Sequence, residues 1–421
     1  MKKIILILNL LSVVAIQSFA QDKWTSMPAF PGVARIEPLC FSIGNKGYVC
    51  TGSDQTFNGY NDVWQWDSST NAWSKIDTLP QGCLARAGGV GFSIGTKGYI
   101  GTGWTNNNGP LKDIWQYDPL TNVWTQEADF GGIARYDAVA FTIGNKGYVG
   151  MGGATGAGLN DFWEYDPVSN RWAAMADLPA SGRYAAVGFS IGNKGYIGTG
   201  SPSDANYSTA LKDFYEWDQT TNTWLPKADF AGSQRIWAVA FSIANKGYIA
   251  TGLDNTGTST KDCWEYDTTG NGKWTMKANA SLSRFLAGAF AFNSTAYVVD
   301  GSNNAGSSLT TFEQYKPSSV TGIVSQTQQS VSVNIYPNPN NGLFTLSINA
   351  TANANYAVEV RNMLGQMIYS EKLDGFSDAY TKQLDMKEHG SGIYLVSLKT
   401  QDNETSARVL SRTLVKKVIV Y

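Results

Sequence analysis

Six tyrosines, each directly after a Gly or Ala, recur along the chain: Tyr48, Tyr99, Tyr148, Tyr196, Tyr248 and Tyr297, at intervals of 51, 49, 48, 52 and 49 residues. A unit of about fifty residues cannot bury a core alone, so regular repetition at this length predicts stacked copies of one supersecondary structure. Each copy reads as four short strands. In the first, Leu39 to Ile43 is an apolar strand, Gly44-Asn45-Lys46-Gly47 a tight turn and Tyr48 to Thr51 a second strand. Asp62 to Asp67 alternates like a third strand, and Asn71-Ala72-Trp73 opens a fourth. Forty-four glycines and 13% aromatic residues against 16% charged residues suit many short strands joined by glycine turns.

The glycine pair, the aromatic-x-Asp strand and the spaced Trp resemble the kelch motif over roughly residues 22–317. The resemblance implies an all-β fold, a six-bladed kelch-type β-propeller occupying residues 21–317. In one departure, the first glycine of the pair is usually Thr, as in Thr51-Gly52 and Thr199-Gly200, while Gly152-Gly153 reads as keeping both. The sixth unit has Phe312 to Tyr315 but no Asn-x-Trp after it, whereas Asp22-Lys23-Trp24 matches Asn71-Ala72-Trp73 without a blade of its own. The N-terminal segment is therefore expected to supply the outer strand of the last blade, closing the ring and removing an open sheet edge.

Residues 1–20 read as a signal peptide: Lys2 and Lys3, an apolar core from Ile4 to Ile16, then Ser18-Phe19-Ala20, with cleavage expected between Ala20 and Gln21. No later stretch approaches the ~20 apolar residues of a membrane-spanning helix. Residues 318–330 are polar and nearly uncharged, the composition of a linker. Beyond it, Tyr336-Pro337-Asn338-Pro339, Val358 to Asn362 with Leu364-Gly365-Gln366, Gly392 to Val396 and Leu414 to Val418 form an ordered set. These four motifs resemble the C-terminal sorting domain of cargo for the type IX secretion system. The resemblance assigns residues 331–421 to a small immunoglobulin-like β-sandwich that engages the secretion machinery, and implies a secreted or outer-membrane-surface location after periplasmic transit. Cys40, Cys50, Cys83 and Cys263 read as small core fillers, although an oxidising compartment would permit disulfides.

A net charge of −2 gives no basic excess for a nucleic-acid surface, and the chain reads as a monomer. Arg35, Arg86, Arg135, Arg183, Arg235 and Arg284 all stand thirteen residues before their unit's Tyr, which places them around the mouth of the expected channel. Two roles are open to them: bracing loops through Asp62, Asp113, Asp161, Asp213 and Asp262, or presenting planar forks to an acidic glycan or a protein ligand. The sixth unit has Thr311 in place of that Asp, so Arg284 is expected to be the least neutralised. Trp104, Tyr136, Tyr184, Trp237 and Phe285 lie beside the arginines and could stack on a sugar or peptide. The Trp residues repeating in register from Trp64 to Trp274 read as core.

An extracellular binding module is the first functional reading. The second is a metal-free sugar-modifying enzyme of the sialic-acid mutarotase or epimerase type, with Glu37 and Asp137 as the acid/base candidates. No cofactor and no metal are called for: the copper chemistry that the kelch resemblance brings to mind requires His ligands, and the one His of the chain is His389, in the C-terminal region.

Overall fold

The computed structural model describes residues 22–318 apart from 155, 205 and 293, together with 331–336, 341–350, 354–362, 365–376, 379–401 and 413–420. The signal-peptide segment with its Ala20–Gln21 cleavage point, and linker positions 319–330, lie outside the described residues. The chain divides into two compact units between residues 320 and 321.

The first unit contains six four-stranded antiparallel sheets. The first sheet is built in chain order from Leu39–Ile43, Lys46–Cys50, Asp62–Asp67 and Ala72–Thr78, and the next four repeat that order. In the sixth, Gly288–Phe292, Thr295–Val299 and Phe312–Lys316 are joined by Lys23–Ser26, with Trp24 opposite Tyr315. The innermost strands of successive sheets touch in cyclic order, and that of the sixth touches that of the first.

Packing between sheets explains the glycine before five of the six tyrosines. A Cβ on Gly47 would stand 2.0 Å from the Phe290 ring of the sixth sheet, and one on Gly98 2.1 Å from the Phe41 ring of the first. The second strand of every sheet is thus pressed between neighbours, and its tyrosine is buried in all six. The tryptophans of the outer strands staple the sheets: Nε1 of Trp172, Trp224, Trp274 and Trp24 donates to the carbonyls of Ala128, Ala176, Ala228 and Ala278, each just past the preceding sheet's outer strand.

Just beyond each second strand stands a residue with positive φ: Thr51, Thr102, Met151, Thr199, Thr251 and Asp300, at +54° to +60°. In the third sheet the glycine pair therefore aligns as Met151-Gly152 rather than Gly152-Gly153. A left-handed backbone costs a residue with a Cβ roughly 1–2 kcal/mol, so each of these positions requires a compensating contact, and the arginines supply it. All four cysteines are free, and burial pushes every thiol well above its usual range, which suits inert packing.

The second unit has a three-stranded sheet in the order Val331–Tyr336, Leu343–Ala350, Ala379–Asp385 and a four-stranded sheet in the order Met367–Phe376, Ala354–Asn362, Gly392–Gln401, Thr413–Val420. Leu346 and Ile348 from the first sheet and Val358, Val360 and Val396 from the second share one buried core. Period-two alternation on both sheets is the sequence pattern that produces it.

Candidate functional site

The six arginines are the most regular polar residues in the first unit, and none reaches solvent: each is 0% exposed. Arg35 donates to both oxygens of Asp62 at 2.6 and 2.8 Å, and the same two-pronged pairs join Arg86 to Asp113, Arg135 to Asp161, Arg183 to Asp213 and Arg235 to Asp262. Nη1 of each arginine also donates to the carbonyl of its sheet's left-handed residue, from Thr51 at 2.6 Å to Asp300 at 3.2 Å. The arginine's own carbonyl accepts an amide from the sheet before it: Gly52 to Arg86, Gly103 to Arg135, Gly152 to Arg183, Gly200 to Arg235, Gly252 to Arg284 and Gly301 to Arg35. Each arginine thus rivets a strained turn in its own sheet to the neighbouring sheet. All six guanidiniums are sealed from solvent, so they are not placed as the forks that would contact a ligand. Of the two roles open to them, bracing is the one the geometry supports.

Arg284 is not left unneutralised either. Glu313 stands where the other sheets carry an aromatic residue such as Trp64, and its Oε2 accepts from Arg284 Nη2. Strand residues two apart share a face, so the missing acid at Thr311 is replaced from position 313.

Two residues beyond each arginine the chain turns left-handed again, at Glu37, Gly88, Asp137, Ala185, Trp237 and Leu286, with φ between +49° and +61°. Five of these amides donate to the carbonyl of the same position in a neighbouring sheet, as in Glu37 to Leu286 at 2.8 Å and Asp137 to Gly88 at 2.6 Å. The six residues line a cavity of about 150 Å³ at one end of the ring of innermost strands. Below it the lining is small: Ala138, Ala186 and Ala238, then Gly91, Ala140 and Gly188.

Glu37 and Asp137 face each other across Gly88. A Cβ on Gly88 would stand 2.9 Å from Asp137 Oδ1 and 3.1 Å from Glu37 Oε2, so any side chain there would wedge the carboxylates apart. Neither carboxylate has a basic partner among the described residues. Burial pushes Asp137 up to about 7, assisted by the charge of Asp204 and opposed by a 3.0 Å hydrogen bond from Trp237 Nε1. Burial, then the charges of Asp137 and Asp204, hold Glu37 well above the ordinary carboxylate range. Asp204 comes from the long loop 201–212, where its carboxylate accepts from Tyr136 Oη at 2.7 Å.

The aromatic candidates divide. Trp237 lines the cavity beside Phe285, their rings 6.1 Å apart. Tyr136 and Trp104 are half-buried and meet edge to face, whereas Tyr184 is 1% exposed and packs behind Tyr136. Trp104, Tyr136, Trp237 and Phe285 therefore remain available to a ligand, and Tyr184 serves as their support. The acidity of the mouth was legible only through Glu37 and Asp137, because Asp204 sits in a loop with no counterpart in the repeat. Among the described residues no group of three or more His, Cys, Asp and Glu is placed to hold a metal ion, and no helix is long and apolar enough to cross a membrane.

Residues 9–200 match the KLHDC2/KLHL20/DRC7 Kelch-repeats domain, and residues 334–412 match the Secretion system C-terminal sorting domain. The chain carries both a kelch-repeat domain and a type IX sorting domain. The sorting domain implies a secreted or cell-surface protein and an interaction with the secretion machinery. Similar proteins include an N-acetylneuraminate epimerase of Shigella sonnei, 33% identical over 102 residues, 23% of this chain and 27% of that protein. Kelch-like protein 35 of Mus musculus is 28% identical over 111 residues, 25% of this chain and 17% of its own length. The chain thus spans only about a quarter or less of these curated relatives. A solved structure described as "Structure of YjhT" superposes with a TM-score of 0.58 at 16% identity, covering 68% of this chain and 95% of that one, a likeness of fold.

Proposed function

We propose that the six sheets are the blades of a propeller closed by Lys23–Ser26, followed by an immunoglobulin-like sorting sandwich, and that the propeller is an extracellular binding module working at its channel mouth. A cleaved signal peptide ending at Ala20 fits this route. The observation that carries the reading is the Glu37–Asp137 pair: two carboxylates without a basic partner, held on strained turns around a cavity and bordered by Trp237 and Phe285. Strain concentrated at a concave polar site is a mark of function rather than of folding economy. Burial raises both carboxyls, which favours the protonated form that can donate as well as accept; that suits the hydroxyls and ring oxygen of a sugar, while Trp237 offers a face for stacking. Because the arginines are spent, a ligand's acidic group would be met by the Glu37 and Asp137 carboxyls rather than by guanidinium forks.

One observation favours a second reading, metal-free acid/base chemistry on a sugar ring. Ring opening needs one group to give a proton and another to take one near neutrality, and Asp137, pushed up to about 7, beside Glu37, which burial also raises, provides such a pair. The epimerase similarity points to sialic acid as the first substrate to try.

Both readings are tested on the purified full chain, with a glycan array and with NMR exchange between the anomers of N-acetylneuraminate. Acidic-glycan binding lost in both Asp137→Asn and Glu37→Gln, with no anomer exchange above background, supports the binding module. Exchange that falls about 100-fold or more in either variant, with an apparent pKa near 7, establishes catalysis. Binding and exchange both indifferent to the two substitutions would remove the mouth from consideration.

A further inference from the structure

Five junctions between sheets share a tryptophan staple and a mouth amide bond, four of them add a hydroxyl bond, and the junction between the first and second sheets lacks all three. Trp124 Nε1 is buried without a hydrogen-bond partner, where the equivalent Trp172 and Trp224 staple to the preceding sheet. The Gly88 amide makes no counterpart to the bonds that Glu37, Asp137, Ala185, Trp237 and Leu286 make around the mouth. Nor does Ser93 repeat the bond by which Thr142, Ser190 and Ser242 each reach a neighbouring sheet's carbonyl. Above this seam lies a groove of about 310 Å³, separate from the mouth cavity and lined by residues 57–59, 84–85 and 105–108.

Its walls contain no ionisable side chain. On one side Phe57 is 44% exposed at φ +61°, a conformation a bulky residue adopts only when its surroundings hold it there. Asp54 does the holding: its Oδ1 accepts from the amides of Thr56 and Asn58, and its carbonyl accepts from the Phe57 amide at 3.0 Å. On the other side Asn106 Nδ2 donates to the Thr56 carbonyl at 3.0 Å, tying the two loops across the groove. The neighbouring Asn107 and Asn108 side chains are exposed and have no hydrogen-bond partner among the described residues. Leu84, 39% exposed, lies on the wall between them.

We propose that this groove is a second binding site, taking one neutral pyranose ring. An aromatic face held out in water suits the C–H face of a sugar, and side-chain amides supply donors and acceptors for its hydroxyls. With no charge in the lining, a uronate or sialate would shed hydration without an ionic partner, so the site discriminates against acidic sugars. The volume lies at the small end of ligand pockets, enough for one ring and not for an extended chain.

The test uses the full chain with methyl β-galactopyranoside, methyl α-mannopyranoside and N-acetylglucosamine as neutral probes and glucuronate as the acidic one, read by saturation-transfer NMR and calorimetry. At least one neutral probe binds; Phe57→Gly weakens it about tenfold or more, and Asn107→Ala with Asn108→Ala weakens it severalfold. Phe57→Gly leaves the Tm unchanged or higher, because glycine is at ease at positive φ, so lost binding is not lost folding. Asp137→Asn leaves neutral-probe binding intact, which separates this groove from the mouth. No neutral probe bound, binding untouched by Phe57→Gly, or a preference for glucuronate would each overturn the proposal.

Discussion

The sixth sheet performs the same tasks as the other five with different residues, and the contrast shows which parts of the repeat are structural rules and which are one solution among several. In four of the five, the aspartate that grips the arginine is also held by a tryptophan Nε1 two residues later, as Trp64 holds Asp62 at 2.7 Å. In the sixth, aspartate and tryptophan are replaced by Thr311 and Glu313, and the Arg284–Glu313 pair is buried at 0% and 2% exposure. A second acid, Asp300, takes the place of the threonine, 0% exposed and with neither carboxylate oxygen hydrogen-bonded. Arg284 Nε, which in the other sheets donates to a carbonyl two residues back, is likewise unpartnered. The rule is a buried guanidinium pinned to a left-handed turn; the acid that neutralises it can move.

The largest effect expected is from breaking a regular rivet. Asp161→Asn leaves Arg135 charged, buried and unpaired, at a cost of about 3–5 kcal/mol in urea unfolding. Glu313→Gln is expected to cost distinctly less, because Asp300 can ionise beside Arg284 and take over; equal losses would show that Asp300 plays no such part. Next comes Asp300→Thr, which restores the residue of four of the five sister sheets. Burial raises the Asp300 pKa well above its ordinary value, so the folded state binds a proton more readily than the unfolded chain, and stability falls as pH rises from about 4 toward that raised pKa. Removing the acid is expected to stabilise by about 1–3 kcal/mol at pH 7, a gain that vanishes by about pH 4, below which both states are protonated. A gain independent of pH would point to packing instead.

The smallest effect concerns the outer strands. That of the sixth sheet is covalently remote from its partner, and Asp22 Oδ1 accepts from both the amide and the hydroxyl of Ser318 beside the junction. Asp22→Ala is expected to speed hydrogen exchange in Lys23–Ser26 about fivefold, equivalent to about 1 kcal/mol, leaving Arg171–Ala174 in the third sheet unchanged. Uniform acceleration in both would mean that the sheets open as one.

Much of this organisation was legible in the sequence because it rests on periodicity. The tyrosine spacing exposed the six units, and the match of Asp22-Lys23-Trp24 to Asn71-Ala72-Trp73 identified the segment that pairs with Phe312–Lys316. The arginines were found by the same regularity, but spacing does not report burial. The signal that would have revealed their role is the run of non-glycine residues at turns that require positive φ. Glu313 carries no repeat signal, because it lies two residues past the aligned position, although a residue two along a strand points the same way. Glu37 and Asp137 were recognised as acids near the arginines, whereas their mutual approach depends on the absent side chain of Gly88, something no local pattern displays.

A protein working outside the cell has no cytoplasm to fix the acidity around it. With Asp137 titrating near 7, the charge carried at the entrance follows the surrounding medium: neutral in an acidified niche, negative in an alkaline one.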